Sequence, residues 1–251
     1  MADRRPLKDP GSRPLVLALE SATAALSVAL LRGPELVDEI SAPAGPAAAT
    51  LLPAVDALLE RAGVALADLE AFAVSIGPGS FTSLRVGIST LKGLAFESDL
   101  PTAPVSTLAA LARAADRADR LVVPMLDARR GEVYAAAYAA DSDWDVVLPE
   151  GVYTPEALCA QLRAPCVLVG EGAALCGETI ANALGEGVAL LPPPRGHARA
   201  RHVGALGVEQ LARGSWVSAA QLAPHYLRRA EAEVKRTGKR FEPAPEPPKP
   251  A

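Results

Sequence analysis

Aromatic side chains are scarce in this 251-residue chain: four Phe, four Tyr and two Trp make 4% of it, although half of its residues are hydrophobic. Much of the apolar content is alanine, which favours helices and close packing. Cysteine is nearly absent too. Cys159, Cys166 and Cys176 are odd in number and lack C-x-x-C spacing, which argues against a disulfide framework or a cysteine zinc site and suits reduced thiols in the cytoplasm. An excess of positive charge is also missing. With 25 basic and 29 acidic residues the net charge is −4, so no global field draws nucleic acid or anionic lipid. The start, MADRRPLKDPGSRP, has no apolar core of a secretory signal. The apolar run 15–31 is broken by Glu20, Ser21, Thr23 and Ser27, and is shorter than the roughly 20 residues a spanning helix needs, so no membrane contact is expected.

What is present reads as alternating strands and helices. PLVLALE is a short apolar strand ending on Glu20, SATA is a turn, and ALSVALL alternates Leu26, Val28 and Leu30 with Ala25, Ser27 and Ala29, predicting a half-buried hairpin. LVVPMLDARRGEVYAAAY repeats the order of strand, acid, turn and strand, its acid being Asp127. A duplicated α/β unit follows from that echo, with two lobes dividing near Pro101 and Pro104 and the acid-bearing turns facing a cleft. The expected organisation is a disordered tail over 1–13, a first lobe over 14–103, a second over 104–235 and a disordered proline-rich tail over 236–251.

Between the hairpins, Leu51, Leu52, Val55, Leu58 and Leu59 form a helical apolar stripe that Gly63 stops. Next comes SIGPGSFTSLRVG, residues 75–87. A strand feeds Gly77, Pro78 and Gly79, and Ser80 is a good N-cap for the helix carrying Phe81, Thr82 and Arg85. Free amides there would welcome an anion, yet neither G-x-x-x-x-G-K-[ST] nor G-x-G-x-x-G is present. Leu84, Ile88, Leu91 and Ala95 make a core stripe on this helix, while Ser83, Gly87 and Thr90 make a face of small residues suited to close helix approach, either internal or intermolecular.

Catalytic patterns are weak. His197 and His202 are five apart, which splays their rings round a helix, so a metal site is not expected. A serine hydrolase would need a base beside Ser80 or Ser83 and a G-x-S-x-G elbow, and neither is seen. Glu20 and Asp127 could act as an acid/base pair or as water-mediated Mg²⁺ ligands, or they could simply cap turn amides, Asp127 holding its own ARRG turn. The turn LVGEGAAL, with Gly170 and Gly172, could sit near an adenine. Basic residues Arg228, Arg229, Lys235, Arg236, Lys239 and Arg240, with Arg195, Arg199 and Arg201, could touch nucleic-acid phosphates or be solvated helix faces.

The combination of SIGPGSFTSLRVG, STLKGLA, PVSTLAALA, LLPAVDALLERAGV and DARRGEVYAAAY, with PHYLRRAEAEVKR near the end, resembles the bacterial TsaB (YeaZ) family. The resemblance implies an α/β fold of the actin/Hsp70-like (ASKHA) type, two-lobed, with central mixed sheets. It also implies an essential, non-catalytic role beside the paralogue TsaD and the ATPase TsaE, in a cytoplasmic complex that transfers a threonylcarbamoyl group to the adenosine next to the anticodon of tRNAs reading ANN codons. Contact with tRNA would be indirect, and the chain alone would form a homodimer. On this reading the partner interface comprises Leu51, Leu52, Val55, Leu58, Leu59, Ser83, Val86, Gly87, Thr90 and Leu94. Glu20, Ser21, Asp127, Arg129, Gly170 and Gly172 line a cleft in which no cofactor is required and only weak ATP or ADP binding is expected. The alternative is a stand-alone ATP-binding or glycoprotease-like hydrolase using Glu20 and Asp127. The chain departs from the family's motifs at Glu20-Ser21-Ala22 where D-T-S is usual, at Ala47-Ala48-Ala49 where H-S-E is frequent, and at Ser83 where glycine is usual.

Overall fold

A computed structural model describes residues 13–42, 46–115, 119–140 and 144–228. The first half runs β1 (Leu15–Glu20), β2 (Ser27–Arg32), β3 (Glu35–Ser41), α1 (Ala47–Ala62), β4 (Ala71–Gly77), α2 (Phe81–Leu94), β5 (Pro101–Ser106) and α3 (Thr107–Ala112). The second runs β6 (Leu121–Asp127), β7 (Val133–Ala139), β8 (Asp145–Tyr153), α4 (Pro155–Cys159), β9 (Cys166–Val169), α5 (Glu171–Leu184), β10 (Val188–Leu191) and α6 (Ala200–Ala212). The order of strands and helices is the same in both. A short β11 (Val217–Ser218) follows.

The sheets repeat as well: β11-β5-β4-β1-β2-β3 and β10-β9-β6-β7-β8. In each, the first three strands form an antiparallel meander and the next two add in parallel beside the first. Glu20 and Asp127 close the equivalent strands β1 and β6, so the echo in the sequence is a duplication of topology.

The hairpin β1–β2 is not half-buried as its alternation predicts; both faces are covered. Leu15, Leu17, Leu19, Val28 and Leu30 pack under α1 and α2, and Val16, Ala18, Ala29 and Leu31 pack under α6. The alternation is one of large against small side chains. Helix α6 lies close because it brings glycine to the sheet: a Cβ on Gly204 would stand 3.1 Å from Ala18 Cβ, and one on Gly207 2.5 Å from Ala73 Cβ. Helix α1 ends where expected, with Gly63 in the left-handed region at φ 66°.

Each half sends its last helix to the other sheet. Helix α3 follows β5 of the first sheet, yet Leu108 and Leu111 pack with Val122, Leu126, Ala136 and Val169 of the second. Helix α6 follows β10 of the second sheet and buries Ala200, Val203 and Leu211 on the first, after which β11 pairs with β5. The expected boundaries therefore need correction: a division at residue 104 falls inside β5, and residues 200–218 belong physically with the first sheet. Cys159, Cys166 and Cys176 are unpaired members of the core between the second sheet and helices α4 and α5, where burial pushes all three thiols up.

Candidate functional site

Parallel strands β1, β4 and β5 end on one edge of the first sheet, and the carboxyl ends of such strands are where α/β sheets usually take ligands. At this edge Glu20 is fully buried. Its Oε1 accepts from the Thr23 amide at 3.1 Å, while Oε2 has no partner among the described residues. Burial raises its pKa to about 7, opposed by hydrogen bonds from Ser75 and the Thr23 and Ala22 backbone. Ser21 is buried beside it, its amide donating to Ser75 Oγ at 3.3 Å and its hydroxyl to the Ser83 carbonyl at 3.1 Å.

The loop 77–80 is tied to that first turn. The Ser80 amide donates to the Ala22 carbonyl at 2.8 Å, and Gly79 leaves room for the same carbonyl. Gly77, at φ 121°, leaves room for the His225 carbonyl, and Pro78 is buried with it. Ser80 caps α2 as predicted, its Oγ accepting from the Ser83 amide at 3.5 Å. The Ser80 amide thus serves the chain's own backbone.

On the second half, the Asp127 carboxylate accepts from the Arg129 amide at 2.6 Å and pairs with the Arg129 guanidinium at 2.9 Å. Arg129, Arg130 and Gly131 are all left-handed, at φ 64°, 59° and 75°, a tight turn closed by Ala128 N–H to Glu132 O at 3.0 Å. Gly170 and Gly172 are buried against the core: a Cβ on Gly170 would stand 2.6 Å from Leu111 Cδ2, and one on Gly172 2.6 Å from Met125 Cβ. The space a side chain would need at either position is already filled by Met125 and Leu111, which is why both are glycine. Glu20 and Asp127 each serve their own turn, the capping alternative of the sequence reading.

The partner-interface residues divide. Leu51, Val55, Leu58, Leu59 and Gly87 are buried inside the chain, which corrects their assignment to an outer face. The apolar stripe of α1 is wide enough only for its own core, and a Cβ on Gly87 would collide with Ser21 Oγ. Ser83, Val86, Thr90 and Leu94 are half-buried; Leu52 is 46% exposed. Thr82 and Arg85 are exposed and Phe81 half-buried. Sequence periodicity missed Phe96, which stands 86% exposed just past α2. Its signal was its rarity: a large aromatic ending a helix whose core stripe already stops at Ala95.

Arg199 and Arg201 pair with the buried carboxylate of Glu39 on β3, at 3.3 Å and, through Arg201 Nε, 2.6 Å, and so hold α6 to the sheet. His202 is half-buried, and the loss of solvent around its ring lowers its pKa to about 4, keeping it neutral. Among the described residues, no three His, Cys, Asp or Glu side chains cluster as metal ligands. The basic positions 229–240 lie outside the described residues.

Two sheets that share one five-strand order, extended by β11 in the first, each sending its last helix onto the other, define the actin-like ATPase class, the ASKHA fold. Residues 47–236 match the family model described as TsaD, tRNA N6-adenosine threonylcarbamoyltransferase. Over nearly the full length the chain is similar to proteins named tRNA threonylcarbamoyladenosine biosynthesis protein TsaB: 34% identical to that of Escherichia coli, covering 89% of this chain and 99% of the relative, and 32% identical to that of Bacillus subtilis, covering 88% and 96%. The solved structure of YeaZ from Pseudomonas aeruginosa superposes with a TM-score of 0.73 at 33% identity, covering 85% of this chain and all of that one. The chain belongs to the TsaB (YeaZ) family, within the reach of the TsaD model.

Proposed function

We propose that the chain acts in threonylcarbamoyladenosine formation on tRNA as a non-catalytic subunit that pairs with TsaD, with TsaE joining the larger complex in the cytoplasm. The carrying observation is that both acid-bearing turns are internally committed: Glu20 is buried on the Thr23 amide, and Asp127 is bound to Arg129. A general acid or base must reach a substrate proton, whereas Glu20 is wholly enclosed and Asp127 is held by the arginine of its own turn. The stand-alone hydrolase reading needs both of them free, and nucleotide has no part in the proposed role. Family membership and the TsaD match support the pathway and the partner. For pairing, the outward side of α1 and α2 offers Leu52 and Thr90, with Phe96 just beyond α2, and the same surface would self-associate in the partner's absence.

Mixing the purified chain with TsaD should give one heterodimer peak on gel filtration, and the chain alone should hydrolyse neither ATP nor peptide. Leu52→Asp combined with Phe96→Asp should weaken the pair about tenfold or more at unchanged melting temperature. Two independent peaks from the unaltered proteins, or ATPase activity of the chain alone that Glu20→Ala removes, would overturn the reading.

A further inference from the structure

Beyond β11 the chain crosses the strand-end crevice. Leu222 is anchored in the core of the first sheet, but none of residues 223–228 belongs to any of the buried hydrophobic clusters. They run without regular secondary structure, half-buried over 224–228. The His225 amide donates to the Ile76 carbonyl at 2.7 Å, at the end of β4. His225 Nε2 lies 3.5 Å from Glu150 Oε2 on β8, and the Glu150 carboxylate also accepts from Ser106, at the end of β5, and from Tyr138 at 3.3 Å. The Tyr226 ring stacks on Phe81, centroids 4.9 Å apart, and its hydroxyl accepts from Arg85 Nε at 3.1 Å; the Arg85 guanidinium lies 4.1 Å from the Phe81 ring centre. Arg228 donates to the Ala128 carbonyl and the Glu132 carboxylate in the left-handed turn after β6. Three residues, His225, Tyr226 and Arg228, thus reach elements of both halves.

This is how extended peptides are recognised: a main-chain hydrogen bond at a strand end, an aromatic slot, and an acceptor pair for arginine two positions on. The built features belong to the groove, including a glycine at Gly77 that admits the peptide carbonyl. We propose that the strand-end crevice is a groove for an extended peptide carrying an aromatic residue and, two positions later, an arginine, and that residues 223–228 fill it in cis as a releasable occupant. Release leaves the four cores intact, because the segment contributes to none of them.

The test uses the full chain and a fluorescein-labelled peptide of residues 222–228. Tyr226→Ala with Arg228→Ala should vacate the groove, so that this variant binds the peptide about tenfold or more tighter than the unaltered chain by fluorescence polarisation. A control peptide with the same two alanines should bind neither. Equal binding to both chains, or equal binding of both peptides, overturns the proposal. Should the double variant fail to fold, hydrogen exchange on the unaltered chain decides. The His225 amide should exchange about 100-fold faster than those of Leu17 and Val74, at a rate insensitive to low urea. Exchange of His225 only through global unfolding would overturn it.

Discussion

Glu20 holds a carboxyl group wholly inside the protein, with a pKa raised to about 7 by burial. The folded chain therefore keeps a proton that the unfolded chain releases near 4.5, and folding stability falls as pH rises between those values. The shift corresponds to a loss on the order of 3 kcal/mol by pH 8. Glu20→Gln keeps the shape and removes the charge. Urea unfolding should show the variant close to the unaltered protein at pH 5 and more stable at pH 8; an identical pH dependence for both would rule out Glu20 as the source. The motif at this turn was legible in the sequence as an acid at a strand end. Its burial was not, because only the docking of loop 77–80 through Ala22 and of α2 through Ser21 closes the turn from solvent.

Helix α2 shows how a face read from spacing can be right in composition and wrong in direction. Ser83, Gly87 and Thr90 do form a row, and small residues do permit close approach, but what approaches at Gly87 is Ser21 of the first turn. Gly87→Ala should accordingly lower stability by about 1–3 kcal/mol, because a buried site with no room must shift to admit a methyl group. Thr90→Ala should cost under about 1 kcal/mol at its half-buried place. Thermal melts of the two variants check the order, and equal losses would contradict it. The hairpin β1–β2 carries the same lesson. Its two-residue period was legible, but the period cannot say whether the small face meets water or, as at Gly204 and Gly207, a closely packed helix.

For the molecule as a whole, the duplication was readable from two strand–acid–turn–strand segments, since short-range order is written locally. The helix exchange was not. No local pattern states that α6 covers Val16, Ala18, Ala29 and Leu31, nearly two hundred positions back. One consequence is that the halves are not independent folding units. A fragment of residues 13–106 keeps α1 and α2 but loses the cover on the other face of its sheet, so it should melt without a cooperative transition and bind a hydrophobic dye, whereas the full chain melts cooperatively. A sharp, reversible transition in the fragment would show that α6 is dispensable.

The exchanged helices also set a clock on synthesis. A ribosome releases β1, β2 and β4 early, but the surface meant for α6 stays bare until residue 212 has emerged, when most of the polypeptide has been made. At ordinary elongation speeds of about 5–20 residues per second, that is a wait of many seconds with an apolar sheet face in water. The first sheet to be made is therefore among the last to be finished, and the nascent chain's exposure to chaperones is written into the order of its helices.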